Sequence, residues 1–521
     1  MAAISNEAAQ AAVVADLEAG VATGDAGPLV RVDTHMSRVF LARERVYKLK
    51  RARTHPFVDL ADPERRRRAC LAEIEVNHAL APGVYERVAP VVREEGGYRI
   101  DGPGEAVDWV VVMKRLPDDS LLDAKARAGR LDGGLAADAA RAIAGFHAGL
   151  PPAPSGGGLE DYRRIVEGLR STWAQAYAAL GANARQAAPV LPTIFVRLDD
   201  ALARAAPLIE ARRRAGRVRR GHGDLHLGNI CVLEGRVTPF DALEFDPAMA
   251  TGDVLYDLAF LLMDLRARRL SDAANAAMNA YWDAAGEAEV GLGLLPVFMA
   301  LRAAVRMAVA LEAGDPGLAR RDHALARRLL RPAAPRLLAV GGLSGTGKSV
   351  LSARLAPRLP GACGARWLRT DVIRKQAAGA PADQPLGPAA YGAAARAAIY
   401  RRMIARARES LAAGTSVVAD ATFRSAAQRR AIPAAAEGRP FLGIWLQAEQ
   451  EQRLGRIARR TEDPSDITVA RAARQIEPAT LDPAWRRLSA SGSASTVAAR
   501  GRRQIADWLA EPPVQTPGEA S

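Results

Sequence analysis

The chain has 521 residues, 49% of them hydrophobic and 25% charged, with a formal net charge of +14. That length holds two or three domains, and the composition excludes a largely disordered chain. The positive balance would suit an anionic partner such as nucleic acid or acidic lipid. The runs Arg65–Arg68 and Arg212–Arg214 carry no interleaved aromatic residues, however, and read as solvated helix faces.

In chain order, residues 1–20 read as an amphipathic helix, and Val30 to Val46 as a hairpin followed by the strand Val46–Arg51. The N-terminus has no basic segment before an apolar run, so it does not read as a secretory signal. Pro63 sits at the first turn of a helix predicted over Asp62–Leu80. Two strands follow, Trp109–Met113 being the more apolar, and helical pattern then dominates from Ala136 to Arg214. A β-rich stretch covers Arg217 to Phe245, and helices return until Leu330. The apolar run Gly291–Ala313 is interrupted by Arg302 and Arg306, which favours a buried helix over a membrane span.

Arg331-Pro-Ala-Ala-Pro335 breaks helix, which places a linker at 331–335 between a domain over 1–330 and a second over 336–508. Beyond it strands and helices alternate: Leu337–Val340, a helix from Lys348, Arg366–Arg369, a helix through Tyr391–Ala412, Ser416–Ala419 and Phe441–Leu446. This is the pattern of a parallel sheet covered on both faces, a three-layer α/β/α domain. Residues 509–521, with Pro512, Pro513 and Pro517, read as a disordered tail.

The three cysteines lie far apart without metal-ligand spacing, and His222 and His226 have no third ligand at suitable distance. No zinc site is expected, and the chain fits a reducing cytoplasm. Only six of the 72 basic residues are lysines. Lysines kept in so arginine-rich a chain are enriched at positions that need a compact ammonium, and Lys48 and Lys348 fall inside motifs.

The second half opens on Gly342-Leu-Ser344-Gly345-Thr346-Gly347-Lys348-Ser349, after an apolar strand and before a helix. In that setting glycines let amide groups curl around phosphate, Lys348 bridges the β- and γ-phosphates, and the Ser349 hydroxyl binds magnesium. Asp371 could accept an acceptor proton, with Arg374 holding a phosphoryl group or substrate anion. The apolar strand ending at Asp420 suits a Walker B metal ligand. Arg453, Arg456, Arg459 and Arg460 lie at helical spacing and could close over ATP phosphates as a lid, Arg456 and Arg460 being the candidate ligands. These residues resemble, over about 336–505, the P-loop kinases that include gluconate kinase, zeta-toxin-type kinases, chloramphenicol phosphotransferase and polynucleotide 5′-kinases.

In the first half, His222-Gly-Asp224-Leu-His226-Leu-Gly-Asn229 is followed by Asp241. The Asp-x₄-Asn spacing is that of a kinase catalytic loop: Asp224 takes or orients the acceptor proton, and Asn229 and Asp241 hold magnesium. Lys48 lies on a strand, with Lys50 on the same face, and matches the lysine that holds the α/β-phosphates. Glu73 is its expected partner, and Glu75 the alternative. Met113–Leu116 would be the adenine hinge. No G-x-G-x-x-G precedes Lys48, and Asp241 is not followed by Phe-Gly. With Asp253, Asp257 and Ala259 added, the passage resembles aminoglycoside and choline phosphotransferases rather than protein kinases. The resemblance implies a bilobal protein-kinase-like domain, in which His222 supports the loop and Asp257 is structural.

Both halves together resemble the bifunctional aminoglycoside phosphotransferase/ATP-binding proteins. The expectation is a two-domain α+β and α/β enzyme with two ATP/Mg2+ sites that phosphorylates hydroxyl groups of small molecules in the cytoplasm. Two alternatives stand beside it. One is a polynucleotide 5′-hydroxyl kinase, favoured by the +14 charge but lacking an aromatic-basic stripe. The other makes the P-loop half a nucleotide-sensing, non-catalytic regulator.

Overall fold

The computed structural model describes residues 4–24, 27–34, 36–55, 58–179, 193–244, 246–381, 384–459 and 465–510. The first helix, α1 (Glu7–Glu18), is N-capped by Asn6, whose side chain accepts from Ala9. Strands β1 (Val30–Asp33), β2 (Ser37–Leu41) and β3 (Arg45–Lys50) follow, then the two-residue pair β4 (Thr54–His55) and β5 (Val58–Asp59). Asp62 caps α2 (Pro63–His78) through the amides of Glu64 and Arg65, the role Asp fills because its carboxylate meets otherwise unpaired N–H groups. After α2 come three strands rather than the two expected: β6 (Tyr85–Glu94), β7 (Gly97–Ile100) and β8 (Ala106–Lys114). The tight turn at Glu95–Gly96 lets β7 fold straight back on β6, and its short mixed pattern hid it in the sequence.

The chain continues through α3 (Leu122–Arg127), α4 (Gly133–Gly149), α5 (Leu159–Ala179) and α6 (Thr193–Arg214), then β9 (Val218–Arg220), β10 (Ile230–Leu233) and β11 (Arg236–Pro239). Next are α7 (Pro247–Ala250), β12 (Thr251–Asp253), α8 (Val254–Ala267), α9 (Ser271–Ala285), α10 (Leu295–Glu312) and α11 (Pro316–Leu329). The last part holds β13 (Leu337–Gly342), α12 (Lys348–Leu355), β14 (Arg366–Arg369), α13 (Thr370–Ala377), α14 (Ala393–Ala412), β15 (Val417–Asp420), α15 (Ala426–Ala431), β16 (Phe441–Gln447), α16 (Gln450–Ala458), α17 (Val469–Ala473), β17 (Trp485–Ser489) and α18 (Ala494–Ala510). Tyr391 ends a separate 3-10 turn, because Gly392 is extended and restarts the helix at Ala393. Helix α18 runs through Ala510, anchored by buried Ile505 and Trp508. Residues 509 and 510 of the predicted tail are therefore helical, and residues 511–521 lie outside the described residues.

Two compact units form. One comprises residues 1–131, 145–161 and 210–261, and the other 132–144, 162–209 and 262–521. The linker expected at 331–335 thus lies inside the second unit, which joins α9, α10 and α11 to the later sheet.

In the first unit an antiparallel sheet has the order β1-β2-β3-β8-β6-β7. Alternation sorts its side chains: Tyr47, Leu49, Val110 and Val112 pack with Val13 and Leu17 of α1. Val46, Val111 and Met113 pack on the other side with Cys70 of α2. Lys48 and Lys50 share the α2 face with Val46, two residues apart on a strand.

In the second unit five parallel strands run in the order β14-β15-β13-β16-β17. β13 sends Leu337 and Ala339 into a core with Tyr400 and Met403 of α14. It sends Leu338 and Val340 into a core with Leu351, Leu355 and Trp508. Among the described residues one helical stretch, Glu289–Glu312, is long and apolar enough to cross a membrane, and 78% of its most apolar window is buried inside the protein.

Candidate active sites

Four buried residues of α2, Arg66, Cys70, Glu73 and Asn77, recur at three- and four-residue spacing and form the face turned to the sheet. The face delivers Glu73 to both strand lysines: Lys48 Nζ lies 2.8 Å from its Oε1, and Lys50 Nζ 2.5 Å from its Oε2. Glu75, on another side of the helix, is exposed. Lys48 also reaches Asp241 Oδ1 at 2.5 Å, and Lys50 pairs with Glu244. Burial would raise the Glu73 carboxyl, but the two ammonium groups outweigh it and hold it near about 2. Burial likewise works against the Lys48 ammonium, yet Asp241 and Glu73 lift it well above its ordinary value. Both groups are therefore charged at neutral pH.

Asp241 stands at a positive φ of 63°, and neighbours hold it there. Its amide donates to the Tyr85 hydroxyl at 3.0 Å, and the next amide, Ala242, donates to Asn77 Oδ1 at 2.7 Å.

Asp224 lies between β9 and a 3-10 turn over Leu227–Asn229. Asn229 Nδ2 donates to the Asp224 carbonyl at 2.9 Å and to its carboxylate at 3.0 Å. His226 Nδ1 accepts from Gly228, so Nε2 carries its proton, and that Nε2 sits 3.5 Å from Asp224 Oδ2. His222 Nδ1 accepts from the Asp224 amide at 3.3 Å, while Nε2 faces the Phe240 carbonyl at 2.9 Å and must donate. Burial depresses its pKa against the pull of Asp257 and Asp224, which keeps the ring neutral. Asp257 fixes the stretch from behind, accepting from the His222 and Gly223 amides at 2.8 and 2.9 Å and facing His147 at 3.1 Å. The Met113–Leu116 segment spans the end of β8 and the residues after it.

In the second unit β13 feeds the loop Leu343–Gly347, and Gly347 starts α12 with φ of 92°. Gly342 and Gly345 also have positive φ, 142° and 83°. A Cβ on Gly345 would lie 2.4 Å from the Arg453 carbonyl oxygen, so only glycine fits there. The Thr346 hydroxyl donates to the Leu343 carbonyl at 2.9 Å, and Lys348 Nζ donates to the same oxygen at 3.0 Å.

Asp420 ends β15, directly beside Val340 of β13. Its carboxylate is buried, accepts from the Ser349 hydroxyl, and accepts from Trp367 Nε1 at 3.3 Å. Burial raises its pKa, with Lys348 and the Ser349 bond opposing. A buried carboxylate held by two neutral donors suits a divalent cation beside Ser349, so these residues fit magnesium. In the first unit, Asn229 uses its nitrogen on Asp224, which leaves its amide oxygen as an acceptor suited to the same ion.

Asp371 is the second residue of α13 and caps nothing; its carboxylate lies 2.5 Å from Arg374. The Arg374 guanidinium in turn lies 4.7 Å from the Tyr391 ring centroid. Arg456 faces the loop backbone, donating to the Thr346 carbonyl at 3.2 Å and the Ala490 carbonyl at 3.1 Å. Arg453 donates to the Ser344 carbonyl at 3.2 Å. These guanidiniums brace the P-loop carbonyls, a different placement from a lid over phosphates. Arg460 lies outside the described residues.

Residues 38–292 match the model of the phosphotransferase enzyme family, and residues 337–481 that of an AAA domain. The chain carries a phosphotransferase-family domain followed by a P-loop, kinase-like AAA domain. It is an ATP-dependent phosphotransferase. Uncharacterized protein Rv2004c of Mycobacterium tuberculosis H37Rv is 28% identical over 465 residues, 85% of this chain and 90% of that protein. Uncharacterized protein Mb2027c of Mycobacterium bovis matches to the same extent. Among solved structures, a choline/ethanolamine kinase family protein from Mesorhizobium loti is 18% identical, with TM-score 0.38 over 61% of this chain and 94% of its own. A gluconokinase from Sinorhizobium meliloti 1021 is 19% identical, with TM-score 0.26 over 34% of this chain and 95% of its own.

Both domains contain participants that the motifs did not name. In the phosphotransferase-family domain these are Glu244, which pairs with Lys50, and Tyr85 and Asn77, which hold the amides of Asp241 and Ala242. In the AAA domain they are Gln475, whose side chain bonds Ser344, and Asp466, which meets Lys375 at 3.1 Å and the Tyr391 hydroxyl. Lys375 belongs to the sparse lysine set, the one signal that could have pointed there.

Proposed function

We propose that the protein carries two separate ATP/Mg2+ sites, each phosphorylating a hydroxyl group of a small molecule. The observation that supports this reading is the bridge from buried Glu73 through Lys48 to Asp241, an ammonium suited to phosphate beside a carboxylate that would hold the metal. In phosphoryl transfer the protein's main work is positioning and charge stabilisation. Lys48 would hold the α/β-phosphates, and Asn229 and Asp241 the magnesium. Asp224 would take the proton of the acceptor hydroxyl as its oxygen bonds to the γ-phosphorus and the bond to ADP breaks. In the AAA domain Lys348 and the amides of Gly345, Gly347 and Lys348 would hold phosphate, the Ser344 amide being taken by Gln475, with Ser349 and Asp420 on the metal and Asp371 on the acceptor proton. Arg374 would face the acceptor. Bound magnesium would neutralise charge on the phosphate oxygens. Among the described residues no three His, Cys, Asp or Glu side chains gather as a metal cluster.

The test is transfer of labelled γ-phosphate from ATP into a desalted small-molecule extract and, separately, into total RNA. Wild type is run beside Asp224→Asn and Lys348→Met. Each variant should lose one labelled small-molecule product and retain the other. Label only in RNA ends would replace this reading by a polynucleotide kinase. ATP hydrolysis without transfer at the Lys348 site would make the AAA domain a regulator.

A further inference from the structure

Strand β14 is an outer strand of the parallel sheet, where an unpaired row of N–H and C=O groups is normally a liability. Here side chains of α9 occupy that row. Asn279 Oδ1 accepts from the Trp367 amide at 2.7 Å, and its Nδ2 donates to the Ala365 carbonyl at 3.1 Å. Asn275 Nδ2 donates to the carbonyls of Ala365 and Cys363 at 2.9 and 2.8 Å. One helix thus replaces a missing strand with two amides.

An ion network lies under these bonds. The buried Arg366 guanidinium meets Asp283 at 2.7 Å, Glu289 at 3.1 Å and Asn279 Oδ1 at 2.9 Å. Arg406 of α14 reaches Glu289 at 2.6 Å, and Gln376 of α13 donates to the Asp283 carbonyl at 2.8 Å. Buried charges of this kind are held only by excellent geometry, and removing one partner leaves the other uncompensated.

The network continues to the P-loop. The second Asp283 oxygen takes Arg369 at 2.9 Å, and the Arg369 guanidinium lies 4.4 Å from the Trp367 ring centroid. Trp367 Nε1 donates to Asp420, the carboxylate that also holds the Ser349 hydroxyl. Arg369 immediately precedes α13, which carries Asp371. Asp283 lies within the residues matched by the phosphotransferase family, 38–292, while Trp367 and Asp420 lie within the AAA match.

We propose that α9 is a working part of the AAA-domain nucleotide site, with Asp283 a positioning residue that aims Asp420 through Arg369 and Trp367. The proposal rests on the reading of that site as one for MgATP. It makes the metal dependence of the second site a property of a helix encoded in the first family segment, so the AAA segment cut at residue 336 would bind metal poorly.

The test uses the full chain, titrated calorimetrically with ATP in the presence and absence of magnesium. The P-loop component is the binding that Lys348→Met removes. Asp283→Asn and, separately, Trp367→Phe should weaken its MgATP affinity by about fivefold or more, the scale of one lost hydrogen bond. Metal-free ATP affinity should change by less than about twofold, since the loop amides and Lys348 are untouched. Asp283→Glu, which keeps the charge, should retain most of the metal dependence. Trp367→Phe leaves the ion network whole, so it tests the path even if Asp283→Asn folds poorly. Equal losses with and without magnesium, or wild-type behaviour of both variants, overturn the proposal. If Lys348→Met removes no binding from the wild-type chain, the nucleotide-site reading itself fails.

Discussion

Gln475 grips Ser344 at two points: its Oε1 accepts the Ser344 amide at 2.8 Å, and its Nε2 donates to the Ser344 hydroxyl at 3.0 Å. With Arg453 on the Ser344 carbonyl, all three polar groups of this residue are engaged. These bonds brace the loop at Ser344. Two such bonds contribute about 1–3 kcal/mol together. Gln475→Ala should raise the KM for ATP in Lys348-dependent turnover by about tenfold with a smaller change in kcat. An unchanged KM would show that Gln475 does not order the loop.

Gly345→Ala should be more severe. Its Cβ would meet the Arg453 carbonyl oxygen at 2.4 Å, in a backbone conformation that alanine rarely adopts. Lys348-dependent ATP turnover should fall below detection, with far-UV circular dichroism unchanged and Asp224-dependent transfer intact. Retained turnover would mean that the loop relaxes without cost.

Glu73 and Glu75 separate cleanly. Glu73→Gln leaves two buried ammonium groups short of a charge, a change of about 3–5 kcal/mol for a broken buried pair. It should lower the melting temperature and abolish Asp224-dependent transfer, while Glu75→Gln should do neither. Equal behaviour of the two variants in thermal melts and transfer assays would contradict the geometry. Glu73 also sets an acid limit. Its folded pKa, about 2, lies below its unfolded value, so its stabilisation is complete above about 4.5 and disappears as pH falls towards about 2.

Asp322 has the opposite sign. Burial, with a smaller contribution from Asp264, pushes its carboxyl up to about 6 against Arg306, which lies 3.4 Å away. The folded state binds the proton more tightly than the unfolded one, so the group's cost to stability builds as pH rises from about 4 to about 6 and stays constant above that. Asp322→Asn should therefore stabilise the protein more at pH 8 than at pH 5, by about 1 kcal/mol in denaturant unfolding. A gain independent of pH would show that the carboxyl does not titrate there.

Asp224→Asn should reduce kcat of the first site by about 10²–10⁴, the range for a lost general base, with KM for ATP little changed. The Asn229 bond to the loop carbonyl survives this change, so the loop should keep its shape. A rate within a few-fold of wild type would remove Asp224 from the base role.

The residues themselves determined much of this protein. Gly342–Ser349 encodes its loop locally, because glycine conformations and a following helix N-terminus depend on neighbours in sequence. The Asp-x₄-Asn spacing of Asp224 and Asn229 is equally local, and both domain matches lie where those motifs stand. The strand pattern of Val46–Lys50 put Lys48 and Lys50 on one face, and helical spacing made Glu73 a candidate partner. Tertiary structure alone chose Glu73 over Glu75, since that depends on which face of α2 meets the sheet. It alone brought Gln475 to Ser344, 131 residues earlier, and Asp283 to Arg366, 83 residues later. It also turned Arg456 onto the loop carbonyls. Partners so far apart leave no periodic trace in sequence. Their pairing follows from burial, which forces each polar group to find whatever partner the packed chain places within reach.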